Sequence, residues 1–185
     1  MSEASSASLY LGRAQCLAEE VVKSFDSRGK MLAAAESCTA GLTADFITRI
    51  PGASKVFWGS FVCYTPDAKI KMLGLTKELI EKHGAVSKPV ALAMAEAALE
   101  KSGAHWAFSV TGLAGPGGDN MGTPVGTIWI GLAERDRNIS GSKRSEAKMF
   151  LFSGTRNELR EAAAAAALEE LLKQVSASET SSERS

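Results

Sequence analysis

The chain has no excess of either charge, because its 21 Lys and Arg residues equal its 21 Asp and Glu residues. Proteins that bind nucleic acid usually carry a basic patch, and no basic stripe with interleaved aromatic residues occurs in this sequence. Long apolar runs are also missing, and residues 1–8 lack the basic and apolar regions of a signal peptide. We therefore expect a cytoplasmic protein with neither nucleic acid nor a membrane as its partner.

Cysteines and histidines are few and scattered. Cys16, Cys38 and Cys63 are odd in number and far apart, and the sequence contains no Cys-x-x-Cys. Neither a disulfide framework nor a zinc site is therefore expected, and a reducing compartment suits the chain. His83 and His105 stand alone, without the spacing of metal ligands or of a catalytic triad. We expect no metal and no cofactor.

The size and composition are those of one globular domain, with 185 residues of which 45% are hydrophobic. Apolar patterns predict strands at residues 31–36, 56–64, 106–110, 125–133 and 147–152. Helical spacing and start signals predict helices at residues 10–29, 39–50, 65–74, 77–82, 87–102 and 155–175. Residues 134–145 read as a polar turn, and residues 1–8 and 176–185 as disordered tails around a domain at 9–175.

Strands that alternate with helices predict an α/β protein in three layers, with a sheet between helices. The last two strands follow each other without a helix between them, so one member is antiparallel and the sheet is mixed but mostly parallel. Ligands in such proteins collect at the carboxyl ends of the parallel strands. Polar residues follow four predicted strands, at 36–39, 64–69, 111 onward and 153–156, and we expect them to converge on one cleft.

The segment AESCTAGL at residues 35–42 directly follows the apolar run 31–35 and predicts a strand, a turn and a helix start. Helix N-termini present free N–H groups, so hydroxyls there often do no more than cap the helix. They can also hold an anion or act as a nucleophile. We expect Thr39 to cap the helix and Ser37 to face the cleft. Cys38 ranks below Ser37 as a nucleophile, because no histidine converges on it.

Lys69 falls near the start of a predicted helix, after Tyr64 at a strand end. The positive end of the helix dipole should lower the pKa of Lys69, whereas Asp67 should raise it. A lysine with a lowered pKa beside a tyrosine could deprotonate a serine, as in Ser-Lys hydrolases. The alternative is a solvated surface lysine.

The loop TGLAGPGGDNMGTP at residues 111–124 matches neither the Walker A pattern nor G-x-G-x-x-G. Its glycines would still allow N–H groups to surround a phosphate or an oxyanion, and a purely structural turn is the alternative. Arg156 follows Thr155 in a capping box and could bind a phosphate or a carboxylate with its two-pronged guanidinium group. The alternative is an ordinary surface arginine.

The motifs AESCTAGL, RIPGAS, FVCYTPDAK, GAVS, VTGLAGPGG, PVGT and FSGTR occur in this order. Together they resemble the CinA C-terminal domain family, the competence/damage-inducible proteins that include nicotinamide-nucleotide amidohydrolase. The resemblance covers about residues 9–175 and implies an α/β/α fold like the anticodon-binding domain. It also implies hydrolysis of nicotinamide mononucleotide to nicotinate mononucleotide and ammonia. The alternative is a catalytically weak nucleotide-binding protein linked to competence or to DNA damage.

The resemblance implies a role for each matching residue. Ser37 would be the nucleophile, and Lys69, assisted by Tyr64, would be the base, although which of the two lies next to Ser37 stays open. N–H groups of the 37–41 turn or of the glycine-rich loop would stabilise the oxyanion. The expected substrate-binding residues are Thr39, Gly41, Thr111, Gly112, Gly115 and Arg156.

The chain departs from the family pattern at two positions. Ala40 stands where the family usually has a glycine, and its methyl group could narrow the approach to substrate. Thr123 replaces a lysine that is common just before P-V-G, which could weaken phosphate binding. The molybdopterin-binding-like domain of full-length members is not expected, so we predict a stand-alone form. The partner expected is a small pyridine nucleotide, and the alanine-rich helices could form the interface of a homodimer.

Overall fold

The computed structural model describes residues 3–135 and 143–182, and its strands form one sheet of five. The strands are β1 (Leu32–Glu36), β2 (Phe57–Val62), β3 (Trp106–Gly112), β4 (Thr127–Arg135) and β5 (Lys143–Leu151). Their order is β2-β1-β3-β4-β5. β1 pairs in parallel with β2 and β3, whereas β4 is antiparallel to both of its neighbours, β3 and β5. The predicted mixed sheet with one antiparallel member is confirmed.

Helices cover both faces of this sheet. They are α1 (Glu3–Ser27), α2 (Leu42–Thr48), α3 (Pro66–Ala68), α4 (Lys77–His83), α5 (Lys88–Ser102) and α6 (Arg156–Ser182). A 3₁₀ turn occupies Ala53–Lys55, and one π-helical turn, Lys69–Leu73, continues directly from α3. α1, α2 and α6 pack on one face of the sheet, and α4 and α5 pack on the other. The predicted three-layer α/β/α architecture is confirmed.

Strand β1 is the centre of both cores, because all five of its residues are buried. Leu32 and Ala34 face the core under α1 and α6, whereas Ala33 and Ala35 face the core under α5. Alternating side chains on a strand point to opposite faces, so a run without polar residues indicates a strand covered on both sides. The predicted strand therefore forms where the pattern is most apolar.

The alanine-rich helices pack inside the chain. Residues 162–167 of α6 are all buried, and they contribute to the core shared with α1 and the sheet. On the other face α5 lies so close to β4 that a Cβ at Gly131 would be 2.4 Å from the carbonyl oxygen of Ala91. Small side chains on α5 and α6 thus bring these helices against their own sheet. The alanines of 162–167 therefore pack within this chain, and the homodimer stays a prediction.

Several predicted boundaries differ from those of the structure. Helix α1 already begins at Glu3 and α6 continues to Ser182, so helix extends into both segments predicted as tails, since a helix that already exists is extended at little cost. The polar turn predicted at 134–145 is shorter, because β4 extends to Arg135 and β5 begins at Lys143. Residues 136–142 lie outside the described residues.

Within the described residues, no helix combines the length and the apolar character that crossing a membrane requires.

Candidate active site

The segments that follow β1, β2, β3 and β5 meet at one edge of the sheet. These four strands point in the same direction, so their carboxyl ends lie together, as the sequence predicted. A cleft of about 200 Å³ opens there. Its lining consists of Ser37, Cys38, Tyr64, Lys69, Ala85, Val86, Thr111, Gly112, Leu113, Ala114, Gly115 and Arg156.

Ser37 and Lys69 are in direct contact at the floor of this cleft. Lys69 Nζ donates to Ser37 Oγ at 2.7 Å and to the carbonyl of Cys63 at 3.0 Å. Ser37 Oγ in turn donates to the carbonyl of Tyr64 at 3.3 Å. Only 1% of Lys69 is exposed, so the alternative of a solvated surface lysine is wrong. A hydroxyl this close to an amine can pass its proton to it.

The residues just before Lys69 direct its side chain into the interior of the protein. Thr65 caps the short helix by accepting from the N–H of Ala68 at 3.1 Å, and Pro66 occupies the first helical position. The chain then widens into the π-helical turn that begins at Lys69, a feature often found at functional sites. Two residues later Lys71 points to solvent. This π-helical turn is a feature that the sequence reasoning missed.

Burial lowers the pKa of Lys69, because the charged ammonium loses its hydration. The predicted direction is therefore right, but the main cause is burial and not the helix dipole. Asp67, which we expected to raise the pKa, pairs instead with Lys71 at 2.9 Å on the surface. A larger fraction of Lys69 is thus neutral near pH 7 than of an ordinary lysine, and only the neutral amine can accept a proton.

The two buried cysteines beside Lys69 are poor nucleophiles. Burial raises the pKa of Cys38 to about 12 and also raises the pKa of Cys63. The thiolate is the nucleophilic form of cysteine, so both thiols are almost entirely unreactive near neutral pH. This agrees with ranking Ser37 above Cys38 as a nucleophile.

His105 has a structural partner away from the cleft, because its Nδ1 accepts from the N–H of Met31 at 2.9 Å.

Glu36 closes β1 with a fully buried carboxylate that organises the turn after it. Its Oε2 accepts from the N–H groups of Gly41 and Thr43 at 3.0 and 3.1 Å. Its Oε1 accepts from the N–H of Ala44 at 3.1 Å and from Ser60 Oγ at 2.9 Å. A carboxylate at the start of a helix satisfies the free N–H groups and interacts favourably with the helix dipole. Glu36 is therefore the cap of α2.

The prediction that Thr39 caps this helix was wrong. Helix α2 begins after Gly41, whose φ of +90° ends the turn, so Thr39 lies two residues too early to reach the first helical N–H groups. Thr39 Oγ1 is buried and has no hydrogen-bond partner among the described residues. The signal for Glu36 was available in the sequence, because an acidic residue that ends a buried strand needs partners.

Arg160 holds the same turn from the opposite side. Its Nε donates to the carbonyl of Cys38 at 3.2 Å, and its Nη2 donates to the carbonyl of Thr39 at 3.0 Å. Sequence reasoning missed Arg160. The available signal was its position four residues after Arg156, because residues four apart lie on the same face of a helix.

The glycine-rich loop forms the other side of the cleft. Thr111 Oγ1 donates to the carbonyl of Ala85 at 2.8 Å and so ties β3 to the segment before α5. A Cβ at Gly112 would be 2.3 Å from Ile128 Cδ1 and 3.1 Å from Cys38 Sγ, so no other residue fits there without movement. Gly115 adopts a φ of +70°, which favours glycine.

Arg156 connects the glycine-rich loop to the side chain of Tyr64. Its Nη1 donates to the carbonyl of Gly115 and its Nη2 to the hydroxyl of Tyr64, both at 2.5 Å. The capping box that positions it is confirmed, because Glu158 Oε2 accepts from the N–H of Thr155 at 2.7 Å. The hydroxyl of Tyr64 thus contacts Arg156. Of Tyr64 and Lys69, it is Lys69 whose side chain contacts Ser37 Oγ.

The remaining predicted substrate-binding residues are divided by the structure. Thr111, Gly112, Gly115 and Arg156 line the cleft together with the three expected catalytic residues. Thr39 and Gly41 are not among the lining residues, and the N–H of Gly41 already binds Glu36. They belong to the turn that supports Ser37.

The sequence matches the CinA C-terminal domain over residues 14–175. The chain belongs to this family. The nicotinamide-nucleotide amidohydrolase PncC of Escherichia coli is 41% identical over 158 residues, which cover 85% of this chain and 92% of that protein. A CinA-like protein of Akkermansia muciniphila is 47% identical over 140 residues, which cover 76% of this chain. The chain spans 32% of the length of that relative and 38% of three other family members.

Solved structures of the CinA family share this fold. The competence/damage inducible protein CihA of Agrobacterium tumefaciens superposes with a TM-score of 0.78 at 40% identity, covering 87% of this chain and 94% of that one. The three-layer arrangement and its mixed sheet are therefore those of the CinA superfamily.

The two departures from the CinA pattern lie away from the cleft. Ala40 is exposed and is not a lining residue, so its methyl group does not narrow the cleft; instead it holds a φ of +51°, which favours glycine. Thr123 is not a lining residue either. Its N–H donates to Asp119 Oδ1 at 2.9 Å, which also accepts from the N–H of Met121 at 3.0 Å.

Proposed function

We propose that this protein hydrolyses the carboxamide of nicotinamide mononucleotide, giving nicotinate mononucleotide and ammonia, as part of pyridine nucleotide salvage in the cytoplasm. The observation that carries the proposal is the 2.7 Å contact between Ser37 Oγ and the buried Lys69 Nζ, inside a cleft that also contains Arg156. The name of the E. coli relative, nicotinamide-nucleotide amidohydrolase, supports the choice of substrate.

The reaction would begin with the neutral amine of Lys69. Lys69 accepts the proton of Ser37 while Oγ attacks the carboxamide carbon, and a tetrahedral intermediate with a negative oxygen forms. Lys69 then returns the proton to the leaving nitrogen, the C–N bond breaks and ammonia departs. Water, deprotonated by Lys69, attacks the resulting ester and releases the carboxylate and Ser37. A positioned base of this kind typically accelerates a reaction about 10²- to 10⁴-fold.

Substrate would be held by Arg156 and the glycine-rich loop. Arg156 is exposed, and its two partners, the carbonyl of Gly115 and the hydroxyl of Tyr64, are uncharged. Charge-assisted hydrogen bonds to a phosphate are about twice as strong as neutral ones, so a 5′-phosphate can displace these partners. Arg156 would therefore exchange its contacts with Gly115 and Tyr64 for contacts with the phosphate.

The test is an assay of ammonia release from nicotinamide mononucleotide. Wild-type protein should release ammonia with saturation kinetics, and Ser37→Ala should lose the activity, about 10³-fold or more, while still binding the substrate. Ser54→Ala, at an exposed position outside the cleft, is the matched control and should keep the wild-type rate. Wild-type protein that binds the nucleotide without releasing ammonia would overturn the proposal and favour a nucleotide-binding protein.

A further inference from the structure

Two N–H groups directly after Ser37 have no oxygen partner. Among the described residues, the N–H groups of Cys38 and Thr39 donate to no backbone or side-chain oxygen, although Thr39 is fully buried. Most buried N–H groups in proteins are paired, so an unpaired adjacent couple needs an explanation. The N–H of the residue after a nucleophile is a common oxyanion donor in hydrolases.

These two N–H groups belong to the residues that directly follow Ser37. Cys38 lines the cleft beside Ser37, and Thr39 is the next residue of the same turn before α2. Burial raises the pKa of the Cys38 thiol to about 12, and hydrogen bonding from the N–H groups of Cys38 and Thr39 acts against burial. We therefore expect an oxyanion that forms at Ser37 to meet these two consecutive donors.

We propose that Arg160 is a positioning residue that orients the turn carrying these two oxyanion donors and polarises the N–H of Thr39, an inference that rests on the proposed amide hydrolysis. Arg160 Nε binds the carbonyl of Cys38, and that carbonyl belongs to the same peptide group as the N–H of Thr39. A cation at a carbonyl oxygen withdraws electron density from its peptide group, which makes the N–H a stronger donor.

The neighbouring peptide group is arranged in the same way. The N–H of Cys38 shares a peptide group with the carbonyl of Ser37, which accepts from the N–H of Ala40 at 3.0 Å. Each free N–H thus belongs to a peptide group whose carbonyl is already hydrogen-bonded. Glu36 fixes the end of the turn, so Arg160 and Glu36 together hold its dipoles in place before substrate arrives. Donors fixed in advance cost no reorganisation during reaction.

The effect should fall on kcat and spare KM. An oxyanion exists only after Ser37 has attacked, so donors aimed at it stabilise the transition state and not the bound substrate. Complete removal of one oxyanion donor costs about 10²- to 10³-fold in kcat. Arg160→Gln weakens and loosens the donors without removing them, so we expect kcat to fall about 10- to 100-fold and KM to change less than about threefold.

The experiment compares wild-type protein with Arg160→Gln, Arg160→Lys and Arg160→Ala in the ammonia-release assay. Arg160→Lys keeps the positive charge and one donor, so its kcat should lie between wild type and Arg160→Gln. Added guanidinium ions should restore part of the kcat of Arg160→Ala. Arg13→Gln removes an exposed arginine that binds Glu169 on the far helices and should leave kcat unchanged. Thermal unfolding of every variant shows how much protein is folded.

A second probe keeps this inference separate from the choice of substrate. A fluorophosphonate labels a nucleophilic serine whatever the natural amide is, because Ser37 Oγ forms a bond to phosphorus and fluoride leaves. Its phosphonyl oxygen needs the same N–H donors, so Arg160→Gln should be labelled about 10-fold or more slowly than wild type. Wild-type protein that is labelled but releases no ammonia would sink the proposed function, and the labelling rates would still test Arg160.

The inference is overturned if kcat and the labelling rate equal the wild-type values in all three of Arg160→Gln, Arg160→Lys and Arg13→Gln. It is overturned equally if the loss in the Arg160 variants appears in KM, or if it matches the fraction of protein that has unfolded, since Arg160 would then be purely structural. Wild-type protein that is neither active nor labelled would remove both this inference and the proposed function.

Discussion

The two walls of the cleft are built differently. The first, here called the catalytic wall, consists of the 36–41 turn and Lys69, and its charged groups are buried: Glu36 is 0% and Lys69 1% exposed. The second, the binding wall, consists of the 111–115 segment, Arg156 and the ring of Tyr64, which is 51% exposed. Buried charged groups need fixed partners, whereas exposed ones can exchange theirs with solvent or ligand.

Under the proposed function, this difference would separate chemistry from recognition. On the catalytic wall the fold itself sets the contact between Ser37 and Lys69, because Glu36 and Arg160 hold the turn and burial tunes the pKa of Lys69. On the binding wall, Arg156 is held by two uncharged groups among the residues that the structure describes. We therefore expect substitutions on the catalytic wall to affect kcat or stability, and substitutions on the binding wall to affect mainly substrate affinity.

The largest effect should come from Lys69→Met, with Lys71→Met as its control. The two lysines lie in the same π-helical turn, but Lys69 contacts Ser37 whereas Lys71 pairs with Asp67 on the surface. Loss of the base should lower kcat for ammonia release about 10²- to 10⁴-fold, because a positioned base contributes that much. Lys71→Met should retain wild-type kcat. An equal loss of kcat in the two variants would mean that the activity depends on the conformation of the π-helical turn and not on the amine of Lys69.

The next effect should be on stability, in Glu36→Gln. The neutral amide loses charge-assisted hydrogen bonds to the N–H groups of α2, and its NH₂ group cannot accept them. We expect the free energy of unfolding to fall by about 2–4 kcal/mol, because buried hydrogen-bonded charges are costly to replace singly. Urea denaturation measures it. Glu20→Gln, on the exposed face of α1, should change it by less than about 0.5 kcal/mol.

The contrast between local and distant partners also decides what the sequence could predict. The strand 31–36 and the Thr155 capping box were predictable because apolar patterning and capping depend on neighbours in the chain. Arg160 contacts the carbonyl of Cys38 across 122 residues, so its spacing from Arg156 indicates a shared helix face but does not identify this partner. We predicted Thr39 as the cap because its hydroxyl lies just before the helix in the sequence. The longer side chain of Glu36, at the end of the preceding strand, is the group that accepts from the first N–H groups of α2.

A smaller effect should follow from Arg156→Gln on the binding wall. The variant keeps a donor but loses the charge and the two-pronged geometry that suit a phosphate. We expect KM for nicotinamide mononucleotide to rise about 10- to 100-fold, in line with about 1.5–3 kcal/mol for a charged hydrogen bond. Nicotinamide riboside, which lacks the phosphate, should be hydrolysed equally well by wild type and variant. A similar KM increase for both substrates would contradict a phosphate clamp.

The pH dependence should report the tuned amine of the catalytic wall. Because only neutral Lys69 accepts a proton, kcat/KM should rise up to about tenfold per pH unit below the pKa of Lys69 and level off above it. Burial lowers that pKa from 10.5, so the plateau should begin below pH 10.5. Lys71→Met should show the same profile. A rate that keeps rising through pH 10.5 would mean that Lys69 behaves as an ordinary lysine.

The same shift has a consequence for stability that does not depend on activity. Folded Lys69 loses its proton at a lower pH than unfolded Lys69, so between those two values the unfolded state binds more protons. The contribution of Lys69 to the free energy of unfolding should therefore increase with pH across that window, up to about pH 10.5. The free energy of unfolding of wild type minus that of Lys69→Met should rise over the window, and a falling difference would contradict the lowered pKa.

The smallest effect should come from Ala40→Gly at the outer corner of the catalytic wall. Ala40 has a φ of +51° and the next residue, Gly41, a φ of +90°. An alanine in left-handed backbone costs about 1–2 kcal/mol, and glycine removes this cost but loses more entropy on folding. We expect Ala40→Gly to raise the free energy of unfolding by about 0.5 kcal/mol with unchanged kcat.

Gly41→Ala provides the opposite test at the adjacent position. Its new Cβ would lie 3.6 Å from Val62 Cγ2, an ordinary contact, so the cost is that of the backbone alone, about 1–2 kcal/mol. Gly41 also donates its N–H to Glu36, so relaxation of the strained turn would disturb the catalytic wall and lower kcat. If both substitutions shift stability in the same direction, backbone conformation is not what separates these two neighbours.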